Sequence, residues 1–115
     1  MKKVEYSFHK DWVPLAMKNL FLEEWGTDNR DILVEHEEPV ETYDRIKSLY
    51  DKGYLEEYVR YQVELLSNPE YDILEEGRQS NIDFKNKHDE VSYDDIYCMG
   101  RVFWEYQDLL PYKIV

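Results

Sequence analysis

Three histidines, one cysteine and a surplus of carboxylates are the side chains here with chemistry to offer. His9, His36 and His88 lie far apart, and none has a second His or Cys at the spacing a metal site needs. His36 sits among Glu35, Glu37 and Glu38, a set that could in principle hold a divalent ion but reads far better as a solvated acidic loop. Cys98 falls near the apolar stripe of a helical segment, which makes it a core thiol rather than a nucleophile. No serine occupies a glycine-flanked elbow. The four glycines read as helix stops or turns, so no phosphate cradle is expected. The expectation is no catalytic residue, no cofactor and no metal.

Two short patterns resemble nuclease motifs. Pro69-Glu70 followed by Asp83-Phe84-Lys85 resembles the Pro-Asp…Asp/Glu-x-Lys arrangement of metal-dependent nucleases. The resemblance implies acids that hold a divalent ion and a lysine that helps to activate water. The first acid is Glu rather than Asp, and the flanks lack strand character. Arg30 and His36 resemble the Arg-x(4–6)-His pair of helical ribonucleases of the HEPN type, which implies a helical site near a dimer axis. Here the two flank a segment of undecided conformation. Short patterns of this kind arise by chance in a charged chain.

Charge bears more directly on function. The 115 residues carry a net charge of −12. Glu23 to Asp44 holds nine acids against Arg30, and Glu70 to Asp95 holds nine acids against Arg78, Lys85 and Lys87. Such a field repels nucleic acid and anionic lipid and attracts basic surfaces. Direct nucleic-acid or membrane-surface binding is therefore not expected. No apolar run approaches the roughly 20 residues that cross a bilayer, and the charged start offers no signal-peptide core. A single cysteine allows no intrachain disulfide. The cytoplasm is the expected compartment.

The elements that must position these residues are mostly helical. A chain this long, with three Trp, four Phe and eleven Tyr, is expected to form one domain over residues 1–115. Alternation over Lys3–Phe8 suggests a short N-terminal strand. Asp11 can cap a helix that reaches Trp25, with Pro14 in its first turn and Gly26 after it; its near-continuous apolar content predicts burial around most of its circumference. Ile32-Leu33-Val34 fits a strand or a helical turn. Pro39 opens a helix to Lys52, with Val40, Tyr43, Ile46 and Leu49 or Tyr50 inward and a Glu41–Arg45 pair outside. A central helix is expected over Tyr54–Ser67. Residues Glu70 to Glu90 look irregular, with at most a helical turn at Tyr71–Glu76. Ser92 and Asp95 form a capping-box spacing, after which Ile96, Met99, Phe103, Tyr106 and Leu110 make an apolar stripe opposite Asp94, Arg101, Glu105 and Asp108. The tail Tyr112–Val115 is expected to dock on the core. The fold class is mainly α, a compact domain of three to four helices with a short N-terminal strand or small β element at most.

Many tyrosines stand beside acids. Tyrosine gives large contact area at low entropic cost, and acids can lock onto Arg and Lys of a partner. The function expected from this character is a non-enzymatic, acidic, protein-binding inhibitor. The type is that of an immunity protein, an antitoxin or a phage anti-defence protein, with a nucleic-acid mimic as the extreme case. Its partner would be a basic nuclease or nucleic-acid-binding protein. The partner-binding candidates are Asp28, Asp31, Glu35, Glu37, Glu38 and Glu41, then Tyr71, Asp72, Glu75 and Glu76. The alternatives are an interaction or assembly module without a basic target, and a small metal-dependent nuclease.

Overall fold

The computed structural model describes residues 4–68, 70, 75–109 and 113–114. In chain order these form β1 (Val4–Glu5), α1 (Trp12–Trp25), α2 (Arg30–Leu33), α3 (Glu37–Asp51), α4 (Tyr54–Leu66), α5 (Glu75–Lys87), α6 (Tyr93–Leu109) and β2 (Lys113–Ile114). The mainly helical class stands. The expected three to four helices become five long ones and a single turn, because α5 and α2 form where the sequence signal is weak.

Glycine and side-chain caps set the helix ends. Gly26 at φ 74° and Gly53 at φ 85° take the left-handed conformation that ends one helix and turns the chain into the next. The Gly26 N–H closes α1 on the Leu22 carbonyl at 3.0 Å. Asp11 occupies the first cap position, but its side chain makes no capping hydrogen bond. Backbone turns stand in for it, with Trp12 and Val13 N–H bonded to the His9 and Lys10 carbonyls. At α6 the capping box forms: Ser92 N donates to Asp95 Oδ2 at 3.0 Å, and Asp95 N donates to Ser92 Oγ at 3.1 Å.

The core is built on α1, α4 and α6, with α3 closing one side. Val13, Ala16, Leu20 and Phe21 of α1 meet Met99, Val102 and Tyr106 of α6 along the most extensive helix pairing of the fold. Leu55, Val59 and Val63 of α4 lie against them, and Ile46 and Leu49 of α3 complete the cluster. Tyr106 is fully buried, so its hydroxyl must find a partner. It donates to the His9 carbonyl at 3.0 Å and accepts from the His9 N–H, which pins the N-terminal segment to α6. Beside this contact β1 pairs with β2 antiparallel, Val4 opposite Ile114 and Glu5 opposite Lys113.

Several expectations change. Leu15 and Leu22 of α1 are exposed, so that helix buries one face rather than most of its circumference. Helix α3 begins at Glu37, placing Pro39 third and buried. Arg45 reaches past Glu41 to Asp95 of α6 at 2.7 Å, joining two helices instead of pairing along one. Residues Glu75–Lys87 form a regular helix held by Phe84 and Ser80, its two buried side chains. The Ser80 hydroxyl accepts from Gln62 of α4 at 2.9 Å inside the structure. Gly77 and Gly100 lie inside helices, not at stops or turns. Leu110 of the stripe lies outside the described residues, as do Tyr112 and Val115 of the tail.

Candidate functional site

The first acidic segment is held by a set of hydrogen bonds and one buried side chain. Asn29 Oδ1 accepts from the Asp31 N–H at 2.9 Å and caps α2, while Thr27 Oγ1 accepts from the Asn29 N–H. Leu33 inserts into the core and anchors the turn. Arg30 makes a two-pronged bond to Asp44 of α3, Nε to Oδ1 and Nη2 to Oδ2, both at 2.8 Å. That contact holds the Asp44 carboxyl below its ordinary range and raises the guanidinium. Arg30 is the single base in residues 27–38, and it is already engaged.

What remains on this tip is acidic and partly apolar. Asp31, Glu35, Glu37, Glu38 and Glu41 are all exposed. Among them stand Ile32 and Val34, with 52% and 55% of their surfaces in solvent. The Ile32-Leu33-Val34 triplet is thus a helical turn with one inward and two outward side chains. Glu37 and Glu38 lie in the first turn of α3, where carboxylates favour the positive end of the helix dipole. Glu41 follows Glu37 by four residues, and such like-charge spacing costs roughly 0.2–0.5 kcal/mol. Asp28 differs from the rest: half-buried, it lines a cavity of about 190 Å³ between α1 and α3, shared with Lys18 and Lys47.

The second acidic segment lies elsewhere. Tyr71 and Asp72 fall outside the described residues. Glu75 is exposed and Glu76 half-buried in the first turn of α5, a helix that packs on α4 and α6, whereas α2 packs on α3. The two acidic segments are therefore carried by different helices.

An aromatic surface went unread in the sequence. Tyr93, Tyr97 and Trp104 of α6 are 59%, 68% and 62% exposed. Spacings of four and seven place them on one helix face, beside the buried stripe. The Arg101 guanidinium, in an ion pair with Glu24 of α1, lies 5.8 Å from the Tyr97 ring centre. Beside Trp104 run two cavities of about 450 and 310 Å³ that share Tyr58, Asn81, Gly100 and Trp104 in their walls. Among the described residues, neither wall includes a carboxylate. The available signal was the repeat of aromatics at four and seven residues outside the apolar stripe.

The residues weighed for catalysis do not assemble. Asp83 is exposed on α5, where its carboxylate accepts from Gln79 at 2.9 Å, and Lys85 donates to the Asp89 carbonyl at 2.8 Å. Glu70 is exposed in a turn, and Pro69 lies outside the described residues. Arg30 belongs to α2 and His36 precedes the first residue of α3 without a side-chain capping bond, so the pair shares no helix. Among the described residues no three His, Cys, Asp or Glu side chains gather as a metal centre, His36 and its glutamates included. Cys98 is buried and its thiol is pushed up by that burial, in keeping with a core thiol.

The densest polar cluster joins α4 to the end of α5. His88 packs between the rings of Phe84 and Tyr54 and hydrogen-bonds Glu57, which also accepts from Lys87 at 2.7 Å. Burial would raise the Glu57 carboxyl, but those two bonds outweigh it and hold it below its usual range. A carboxylate bonded by both Lys87 and His88 fastens α5 to α4. No helix among the described residues is long and apolar enough to cross a membrane.

The chain matches no protein-family model, no curated protein and no solved structure.

Proposed function

We propose that this protein is a non-enzymatic, acidic binding protein that inhibits a basic nuclease or nucleic-acid-binding protein, in the manner of an immunity protein, an antitoxin or a phage anti-defence protein. The observation that carries the reading is the tip formed by α2 and the start of α3. Five exposed carboxylates surround Ile32 and Val34 there, and the local base is engaged by Asp44. Exposed aliphatic side chains give a partner apolar area to cover, and the acids around them steer and register arginine and lysine. A groove shaped for phosphates presents that complement. In this reading Asp31, Glu35, Glu37, Glu38 and Glu41 contact the partner, while Arg30, Asp44, Asn29 and Leu33 hold the tip in place. Asp28, with Glu75, Glu76, Tyr71 and Asp72, would extend the acidic field.

The test pairs capture with charge reversal. The protein is used as bait in an extract of the organism that encodes it, beside a variant carrying Asp31→Lys, Glu35→Lys, Glu37→Lys and Glu38→Lys. A basic partner should bind the native tip and elute as salt rises. Its nuclease or nucleic-acid-binding activity should fall when the native protein is added. The variant should bind weaker by roughly two to three orders of magnitude, at up to about 1 kcal/mol for each pair lost. Equal affinity of the two forms for the same partner would sink the proposal.

A further inference from the structure

Two glycines lie inside helices, and both line the same cavity. Gly26 and Gly53 sit at helix ends with positive φ, where glycine is expected. Gly77 of α5 and Gly100 of α6 stand in helix interiors, where glycine weakens a helix relative to alanine. Both open onto the cavity of about 450 Å³ between α4, α5 and α6, and Gly100 also onto its neighbour of about 310 Å³. Tyr58, Asn81, Gly100 and Trp104 are common to the two, which run as one cleft of the size that small molecules occupy.

Two amides on its wall are held in one orientation. Gln62 of α4 is only 6% exposed. Its Nε2 donates to Ser80 Oγ at 2.9 Å, and that hydroxyl gives its own proton to the Gly77 carbonyl at 2.8 Å. The amide therefore cannot be turned round, and Oε1 is left as an acceptor with no partner among the described residues. Every sealed side-chain N or O atom of those residues has a partner. This oxygen is thus open to the cleft that Gln62 lines. Tyr58, one turn before Gln62 on α4, donates to Asn81 Oδ1 at 3.0 Å. That leaves Asn81 Nδ2 as a donor, one residue along α5 from Ser80. The bonds Gln62–Ser80 and Tyr58–Asn81 are neighbouring rungs between the same two helices, so the free acceptor and the free donor belong to one wall.

We propose that this cleft binds an adenine-type base, stacked on Trp104, its amino group donating to Gln62 Oε1 and a ring nitrogen accepting from Asn81 Nδ2. Adenine carries that donor and that acceptor on one edge, the pattern that side-chain amides read. Trp104, 62% exposed, gives the ring a flat face. Stacking tolerates every base, so the choice falls to the amides. Among the described residues the walls hold no carboxylate to draw a cation instead. Of the α6 acids, Asp95 bonds Arg45 of α3 and Glu105 bonds Glu23 of α1, while Asp94 and Asp108 are exposed outside both walls. Arg78 lines the larger cavity and has no ion pair among the described residues, so a phosphate on the ligand would meet a cation there. The base is the shared chemistry, and a nucleoside or its monophosphate can supply it.

Titration of the full chain with adenosine and with adenosine 5′-monophosphate, read by tryptophan fluorescence and by calorimetry, tests this. The better of the two should bind with a dissociation constant on the order of 100 µM. Inosine, which has a carbonyl in place of the amine, should bind roughly ten-fold weaker, because Gln62 Oε1 then faces an acceptor. Trp104→Ala should lower affinity roughly ten-fold. Asn81→Asp keeps the acceptor for Tyr58 but turns the donor into a carboxylate oxygen, and should cost at least as much affinity. Circular dichroism checks the fold of each variant, and if one fails to fold the other decides. Tighter binding of the monophosphate, lost in Arg78→Gln, assigns the nucleotide; equal or tighter binding of adenosine assigns the nucleoside. No binding of either at about 5 mM would overturn the proposal. So would equal affinity for adenosine and inosine, or an affinity indifferent to both Trp104→Ala and Asn81→Asp. None of these results touches the acidic tip, whose test is capture of a partner by carboxylates of α2 and α3.

Discussion

Replacing Glu105 by glutamine tests the packing of α1 on α6 where its electrostatics are worst. Glu105 is half-buried, shares a hydrogen bond with Glu23 across the two helices and lies near Asp108. Burial, then the bond to Glu23, then the charges of Glu23 and Asp108 push its carboxyl from 4.5 up to about 7. Arg101, one turn earlier on the same helix, does not relieve it, being paired with Glu24. The folded protein thus holds a proton here that the unfolded chain has released, and this group's contribution falls as pH rises from 4.5 toward 7. In full, a shift of that size is about 3.4 kcal/mol at 1.36 per unit. Glu23 is exposed and water screens the pair, so about 1 kcal/mol is the realistic magnitude. Glu105→Gln keeps a hydrogen-bonding side chain and removes the titration. At pH 8 the variant should be the more stable by about 1 kcal/mol, or roughly 4 °C in Tm, and the gap should close toward pH 5. Asp95 and Glu57, held low by their partners, give the opposite dependence: their stabilisation is lost as pH falls through and below the ordinary carboxylate range. The assay is thermal melting of both forms between pH 5 and 8. Parallel Tm–pH curves, or a variant less stable at pH 8, would refute the reasoning.

Two further substitutions probe how the fold is held. Phe84→Ala removes the main apolar anchor of α5, which packs edge-on against Tyr58 and also against His88. It should cost about 3 kcal/mol and show by hydrogen exchange as early opening of α5 while α1 and α6 stay protected; uniform loss of protection would contradict this. Tyr106→Phe keeps the buried ring but strips the hydroxyl from both His9 backbone groups. It should cost roughly 1–2 kcal/mol in chemical denaturation and speed exchange at the His9 amide.

Local signals in the sequence were good guides where the structure is decided locally. Ser92 and Asp95 form their reciprocal cap because both partners lie within one turn, and Gly26 and Gly53 end or begin helices for reasons of their own backbone. The stripe Ile96, Met99, Phe103 and Tyr106 is buried as its spacing implied. Helix α5 escaped notice because its sequence offers two apolar side chains, Ile82 and Phe84, and a glycine. Its order comes from Gln62, Tyr58 and Glu57 on another helix. Arg45 was assigned to Glu41 for the same reason: the spacing along α3 is visible, but its crossing with α6 is not. The acidic tip was legible in composition, and what holds it was not, since that depends on Asp44 lying fourteen residues from Arg30. The aromatic face was missed because α6 carries aromatics on two sides, and only packing reveals which side is inward.

Acids and aromatics stand side by side in the sequence, and the structure carries their clearest concentrations on different elements. The five exposed carboxylates with Ile32 and Val34 belong to α2 and α3, while Tyr93, Tyr97 and Trp104 belong to α6. The difference has physical consequences. A contact made by carboxylates with a basic partner weakens as ions screen it, within a Debye length of about 8 Å at physiological salt. Separate placement lets one molecule keep a field strong enough to steer a basic partner without spreading that field over every surface. A change in ionic strength therefore tests whether the acidic tip is what a partner engages before any residue is replaced.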